Sequence, residues 1–290
     1  MLERSLGIHD GTFHADEVTA CALLLLYNLV DQDKIVRTRD LSALEQCEYV
    51  CDVGGVYDAS KKRFDHHQSD YEGELSSAGM ILKYLASIGI VEQSWQRFLA
   101  KQLVIGVDAI DNGAYTPPDG LCTFSGLISE YVPVDHDAPV EEYTKAFFEA
   151  VDFCLSHIKR LRARFEYIQA AKAEIEREMA KEQKVLHFDR SLPWVESFFE
   201  LGGEEHPAQF LIMPSGDHWK LRGIPPTYAR RMEVRMPLPK AWAGLLKHDL
   251  KKASGIDGAI FCHKGRFISI WETKEDAEEA LKKVMDDNGL

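Results

Sequence analysis

The chain has 290 residues, 45% hydrophobic and 28% charged, enough for two modest domains or one large one with a sizeable core. Its net charge of −13 argues against indiscriminate nucleic-acid binding, which leans on a positive face. No apolar run reaches the roughly 18 residues of a membrane span, and the longest, ACALLLLYNLV (20–30), is interrupted by Asn28 and suits a buried helix.

The start, MLERSLGIHDG, lacks the basic stretch and apolar run of a secretory signal, so a cytoplasmic location is the expectation. SLGIHD (5–10) reads as a strand. A helical pattern runs from about Asp16 to Val30, with Asp16 and Glu17 suited to the positive end of its dipole. KIVRT (34–38) and EYVCDV (48–53) read as strands, the second followed by the sharp turn Gly54-Gly55. RFDHH (63–67) ends another short strand. SSAGMILKYLASIG (76–89) opens on serines and closes on Gly89, as a capped helix does, and SWQRFLAKQLVIGVDAI (94–110) is a second helix. Strands alternating with helices predict an α/β domain over residues 1–138 with a mostly parallel sheet, whose active residues gather beyond the carboxyl ends of its strands.

GAYTPPDG (113–120) is a loop by composition. Residues 139–182 carry no proline or glycine after Pro139 and predict one or two long helices that complete the first domain and link to the next. From 183 to 290 the segments shorten. AQFLIMP (208–214), HWKLRGI (218–224), GAIFCH (258–263) and RFISIW (266–271) alternate with turn residues, and the last two predict a hairpin. A final helix, 273–287, begins with Thr-x-x-Asp, a capping box with Asp in place of Glu. This half reads as a smaller α+β domain. The six cysteines (21, 47, 51, 122, 154, 262) form no C-x-x-C pair and are expected to be reduced thiols.

The chemistry is concentrated in the first domain. His9 closes a strand; His14 and Asp16 open a helix; Asp52 closes a strand before Gly54-Gly55; Asp65, His66 and His67 close another; Asp108 and Asp111 end a helix. A parallel sheet can bring these ends into one crevice. Carboxylates gathered there take up protons unless a cation holds them. Two divalent ions resolve that conflict, and mixed imidazole and carboxylate ligands suit Mn²⁺, Fe²⁺ or Zn²⁺ better than an all-oxygen Mg²⁺ site.

The ordered set HDGTFHADE, DVGGVYD, RFDHHQ and VDAIDNG resembles the DHH phosphoesterase superfamily, and more closely its melanocyte proliferating gene (Myg) family of metal-dependent hydrolases. RMPLPKAWAGL and SGIDGAIFCHKGRFI in the second half extend the resemblance nearly end to end. It implies a catalytic domain with two Mn²⁺-type ions and a smaller substrate-gripping domain. By that resemblance His9 and His14 hold one ion, Asp16 the other, Asp52 bridges both, and His66 binds the second with Asp108, or with Asp111 in its place. Asp65 orients a ligand, and His67 faces the phosphate or protonates the leaving oxygen. The sequence departs from the superfamily in two places: His14 stands where a carboxylate is usual, and the glycine-rich GGGH signature of many partner domains is missing.

The second domain is basic where the first is acidic. Between His218 and Ala253 nine Lys/Arg face two acids, a local excess of seven. Lys220, Arg222, Arg230, Arg231, Arg235 and His263 are candidate phosphate contacts, and Trp219 and Tyr228 could stack on a base. The resemblance implies a 3′-to-5′ exoribonuclease, and the modest basic patch suits short or single-stranded RNA; no membrane partner is expected, and a homodimer is left open. The competing expectations are a pyrophosphate, polyphosphate or (cyclic) dinucleotide hydrolase and a non-catalytic metal- or nucleotide-binding protein. Proteolysis, suggested by the label hydrolase, has no independent support in the residues.

Overall fold

In the computed structural model, which describes residues 2–287, the chain divides into two compact units, Met1–Phe165 and Glu166–Leu290. The division falls inside one 40-residue helix, so the expected linking segment 139–182 is shared between the two. Among the described residues no helix is long and apolar enough to cross a membrane.

The first unit opens with β1 (Leu2–Ile8), α1 (Ala15–Leu26), β2 (Ile35–Arg37), α2 (Leu41–Gln46), β3 (Cys47–Cys51), β4 (Tyr57–Asp58) and β5 (Arg63–Phe64). These strands form a sheet of order β2-β1-β3-β5-β4, in which β1 pairs in parallel with β2 and β3, β3 pairs in parallel with β5, and β4 runs antiparallel at the edge. The mostly parallel α/β fold is thus present. α2 was not legible; Asp40 caps it through Ser42 N–H at 2.9 Å, a six-residue turn of helix too short to show a period.

α1 is buried nearly all round, which is why its sequence shows a continuous apolar run instead of a stripe. α3 (Ser77–Ser87), α4 (Gln93–Leu99) and α5 (Ile105–Asp111) follow, α4 and α5 being joined by a π-helical stretch, Ala100–Val104. That stretch re-phases the helix ahead of its two aspartates. α6 (Phe124–Ser129) and α7 (Val140–Met179) complete the unit's helices. Phe13, Leu23, Phe64, Trp95 and Phe147 are fully buried in its core, each contributing about 1.5–3 kcal/mol relative to exposure.

The second unit holds β6 (Val185–His187), α8 (Trp194–Glu200), β7 (Phe210–Ser215), β8 (His218–Gly223), α9 (Lys247–Ser254), β9 (Ala259–Cys262), β10 (Ile268–Trp271) and α10 (Lys274–Asp287). Its sheet has the order β6-β7-β8-β10-β9, with β6 and β7 parallel and the other pairs antiparallel; β9 and β10 are the expected hairpin. Thr273 and Asp276 exchange backbone-to-side-chain hydrogen bonds of 3.1 Å each at the start of α10, a capping box with aspartate. One sheet face, carrying Phe210, Ile212, Leu221 and Trp271, packs on Ala277, Ala280 and Val284 of α10. On the other face Leu186, Leu211 and Met213 are covered by Ala171 and Ile175 of α7 and by Trp194 and Phe198 of α8. Beyond that cover the same face carries Lys220, Arg222, Phe261, Ile268 and Ile270, all half-buried.

Candidate metal centre

Three of the parallel strands, β1, β3 and β5, hand their next residues to one crevice. His9 follows β1, Asp52 follows β3, and Asp65-His66-His67 follow β5; α1 begins beside them with His14 and Asp16. The turn after β3 is unusual: Asp52 itself has φ +58°, and Gly54 and Gly55 have φ +100° and +69°. Left-handed backbone at a non-glycine residue stores about 1–3 kcal/mol, offset here by the contacts that aim the Asp52 carboxylate inward.

Three groups of side chains each offer ligand atoms within 4.8 Å of one another: His9, His14, Glu17 and Asp52; Asp52, His66 and His67; and His14, Asp16 and Asp111. Asp52 and His14 each belong to two groups, so the three form one cluster. His9 Nε2 lies 3.0 Å from Glu17 Oε1 and 3.1 Å from Asp52 Oδ2. His66 Nε2 lies 3.2 Å from Asp52 Oδ1, 3.1 Å from Asp111 Oδ2 and 3.8 Å from Asp16 Oδ2.

The imidazoles are held in ligand-ready tautomers. Asn112 Nδ2 donates to the Glu74 carbonyl at 3.0 Å, which turns its Oδ1 toward His66 Nδ1 at 2.8 Å. The proton therefore belongs on His66 Nδ1, and the Nε2 lone pair faces the carboxylates. His9 Nδ1 likewise donates to the Asp10 carbonyl at 3.0 Å. A cation fits the remaining atoms: Asp16 Oδ1, Asp52 Oδ1 and His66 Nε2 are buried with no hydrogen-bond partner despite their close approach. Unsatisfied buried acceptors facing one another are costly unless a positive ion sits among them.

The electrostatics agree. Burial, and then the Asp52, Glu17 and Asp111 carboxylates, push Asp16 well above the ordinary carboxylate range. Burial opposes charging of His9 and His66, but Asp52 and Glu17 for the first, and Asp111 and Asp52 for the second, prevail and push both up to about 10. Burial also opposes ionisation of Asp52, yet His66 and His9 hold it below its usual range. Without a metal, protons on the imidazoles balance the carboxylates.

Asp65 is buried and does not touch the cluster's centre. Its Oδ1 accepts from His67 Nδ1 at 2.8 Å and His67 N–H at 3.1 Å, while Oδ2 accepts from Gly55 N–H at 2.5 Å. His67 is 63% exposed, so its Nε2 is free to face a substrate. Of the two helix aspartates, Asp111 reaches the cluster. Asp108 instead caps α3, accepting from Ser76 N–H, Ser76 Oγ–H and Gly79 N–H at 3.2, 2.6 and 3.0 Å. Gly79 admits this contact because a Cβ there would lie 2.2 Å from Asp108 Oδ2. Asp108 joins none of the three ligand groups, and the hydrogen bonds of its Oδ1 are spent on α3, whereas Asp111 joins one group.

Two residues at the centre were not read from the sequence. Glu17 suits helix capping, and its carboxylate does accept the His14 N–H at 2.9 Å, but it also meets His9. Arg39 lines the cleft of about 710 Å³ together with His9, His14, Asp52, Asp65 and His67, and its Nη2 stands 3.3 Å from His9 Nδ1. A charged residue just beyond β2 was open to the same strand-end rule that singled out the aspartates.

The second unit sorts its candidate cations. Arg235 donates to the carbonyls of Gly203, Glu204, His206 and Ala208, so it clamps that loop and is corrected from substrate contact to structural tie. Arg230 pairs with Glu233, and Arg231 lies 5.5 Å from the Tyr228 ring. His263 Nδ1 accepts from Gly265 N–H at 3.0 Å, and its ring packs on Phe267. Burial lowers Lys220, with Arg222 adding to the effect, and burial lowers Arg222. Arg222 lies 5.9 Å from Trp194 and 5.5 Å from Phe267. Trp219 alternates onto the opposite face, against α10's core, with Lys274 Nζ 5.3 Å over its ring. It cannot stack on a base held by Lys220 and Arg222, because successive strand residues point to opposite faces.

The α/β unit gathers histidines and aspartates beyond its strand ends, around a DHH run, in the arrangement that the resemblance to the DHH phosphoesterases leads one to expect. Residues 5–285 match the family model MYG1_exonuc, described as "Uncharacterised protein family (UPF0160)", and the chain belongs to that family. It is 52% identical to "MYG1 protein" of Chlamydia muridarum over 100% of this chain and 99% of that one. It is 30% identical to "MYG1 exonuclease" of Homo sapiens, over 94% of this chain and 83% of that one. Among solved structures, RecJ of Thermus thermophilus in complex with Mn²⁺ shares 14% identity at a TM-score of 0.28, covering 98% of this chain and 52% of that chain. A likeness at that score carries nothing further here.

Proposed function

We propose that the chain is a dinuclear-metal phosphodiesterase of the cytoplasm that trims short or single-stranded RNA from its 3′ end. The observation that carries the reading is the convergence of His9, Asp16, Asp52, His66 and Asp111, with buried acceptor atoms that no donor satisfies. The name "MYG1 exonuclease" borne by the rat, mouse and human relatives supports the nuclease part.

His9, His14, Glu17 and Asp52 would hold one ion, and Asp16, Asp52, His66 and Asp111 the other. Mn²⁺ suits this mixed donor set best, ahead of Mg²⁺, Fe²⁺ and Zn²⁺. When bound, such ions acidify a water and stabilise the oxygens of an in-line displacement at phosphorus. His67 presents Nε2 to the cleft and donates a proton to the departing ribose oxygen as its bond to phosphorus breaks. Asp65 fixes the ring for that transfer through its 2.8 Å hydrogen bond to Nδ1. In the second unit, Lys220 and Arg222 bind the phosphates of the strand, and Phe261 on the same sheet face supplies a stacking surface.

The test is a cleavage panel with purified protein and Mn²⁺: short RNA, short DNA, cyclic dinucleotides and pyrophosphate, labelled so that polarity can be read. The expected result is stepwise RNA shortening from the 3′ end that stops with chelator and in Asp52→Asn. Cleavage of pyrophosphate alone would remove the nuclease reading and keep the metal centre. Full metal uptake with no turnover of any substrate would point to a binding protein.

A further inference from the structure

A second hollow of about 500 Å³ adjoins the metal centre, shares His14, His67 and Asp111 with it, and extends over Ile110, Pro117, Thr123, Ser125 and Ser129. Resting on the phosphodiesterase reading above, we propose that this hollow is the subsite for the nucleoside on one side of the scissile phosphate.

The chemistry of the two hollows differs. The larger cleft carries Arg39 with Asp10, Asp52 and Asp65. The smaller one, among the described residues, has no lysine or arginine in its lining. A phosphate seeks cations or several donors, so the occupant of the smaller hollow is uncharged. Ile110 and Pro117 give it an apolar wall, which suits the flat face of a base. The hydroxyls opposite can donate and accept, as sugar hydroxyls require. Thr123 Oγ1 already accepts from Gly126 N–H at 3.0 Å, and Ser129 Oγ donates to the Gly126 carbonyl at 2.8 Å. The Ser125 hydroxyl has no hydrogen-bond partner among the described residues, so it is available to a ligand.

Size and place complete the argument. Hollows that hold one small organic ligand measure about 300–1,000 Å³, so 500 Å³ suits a single nucleoside and not a run of nucleotides. The hollow meets the metal cluster at Asp111, His14 and His67. A nucleoside seated on Ser125 therefore has its own phosphate beside His14 and Asp111, which would hold an ion, and beside the His67 ring.

The experiment is calorimetry on the full chain loaded with Mn²⁺, titrated with inorganic phosphate, adenosine 5′-monophosphate and adenosine 3′-monophosphate. The tighter of the two nucleotides is expected to bind about tenfold or more tightly than phosphate, about 1.4 kcal/mol. Ser125→Trp and Ser129→Trp, each filling the hollow from a partly or fully exposed position, are expected to cut that advantage to about twofold or less while phosphate affinity holds. A nucleotide that binds no tighter than phosphate, or an advantage kept in both tryptophan variants, overturns the subsite and leaves the metal centre standing. Failure of the Mn²⁺-loaded protein to bind phosphate at all removes the phosphodiesterase reading, and the subsite with it.

Discussion

The two units treat charge in opposite ways. In the first, charged groups are buried and crowded: Asp16, Glu17 and Asp52 are each under 4% exposed, and a net of neighbours fixes each one. In the second, charge is spread over a surface, and part of it is already engaged. Arg230 is matched by Glu233, Arg235 by four carbonyls and Lys251 by Asp257; Arg231, Lys240, Lys247 and Lys252 are exposed, and Lys220 and Arg222 are the half-buried cations on one sheet face. The contrast teaches that a count of charges locates a region, whereas an account of partners locates a function.

The comparison breaks most readily at Asp52. Asp52→Asn should reduce turnover by more than about 100-fold, beyond the usual 10–100-fold cost of losing a group that merely supports a ligand. Calorimetry should show weakened Mn²⁺ binding, and near-normal turnover would mean that no ion is bridged there. His67→Ala should lower kcat by about 10²–10⁴, as loss of a general acid does, and a KM change with kcat intact would recast it as a binding residue. Asp65→Asn should cost about 10–100-fold through His67, visible as an altered pH profile of kcat.

The second unit sharpens the contrast with smaller effects. Arg222→Met should raise KM for RNA and reduce the salt slope by about 0.7, the share of one phosphate contact on a single strand. Arg230→Gln should leave both within about twofold, since that guanidinium is exposed and already paired, and exposed pairs contribute little.

The smallest signal concerns pH. His9 and His66 titrate near 6.5 in an unfolded chain but at about 10 in the fold. Between those values the folded state holds more protons, so their stabilisation is whole below about pH 6.5 and is lost as pH rises through about 10. Thermal melts of the chelated protein should therefore fall from pH 7 to 9, while melts with Mn²⁺, which displaces those protons, should fall less. Parallel curves would mean that the imidazoles are not ligands.

Much of this was legible in the sequence because the fold obeys a simple rule. Strand ends in a parallel sheet share one edge, so His9, Asp52 and DHH could be grouped without coordinates. Asp108 and Asp111 could not be separated, because the choice depends on helix phase after the π-helical stretch and on Ser76 drawing one of them away. Glu17 was hidden by its local suitability as a capping residue. Trp219 is a different miss. Its alternation with Lys220 was readable, and period two alone puts the indole and the ammonium on opposite faces of the sheet.

Asp65 joins two parts of the machine that chemistry would keep separate. One oxygen holds the His67 imidazole, and the other holds the amide of Gly55 in the turn that carries Asp52. The loop that carries Asp52 and the His67 ring are thereby tethered through a single side chain. In the mechanism proposed above, one buried carboxylate then sets the spacing between attack and departure.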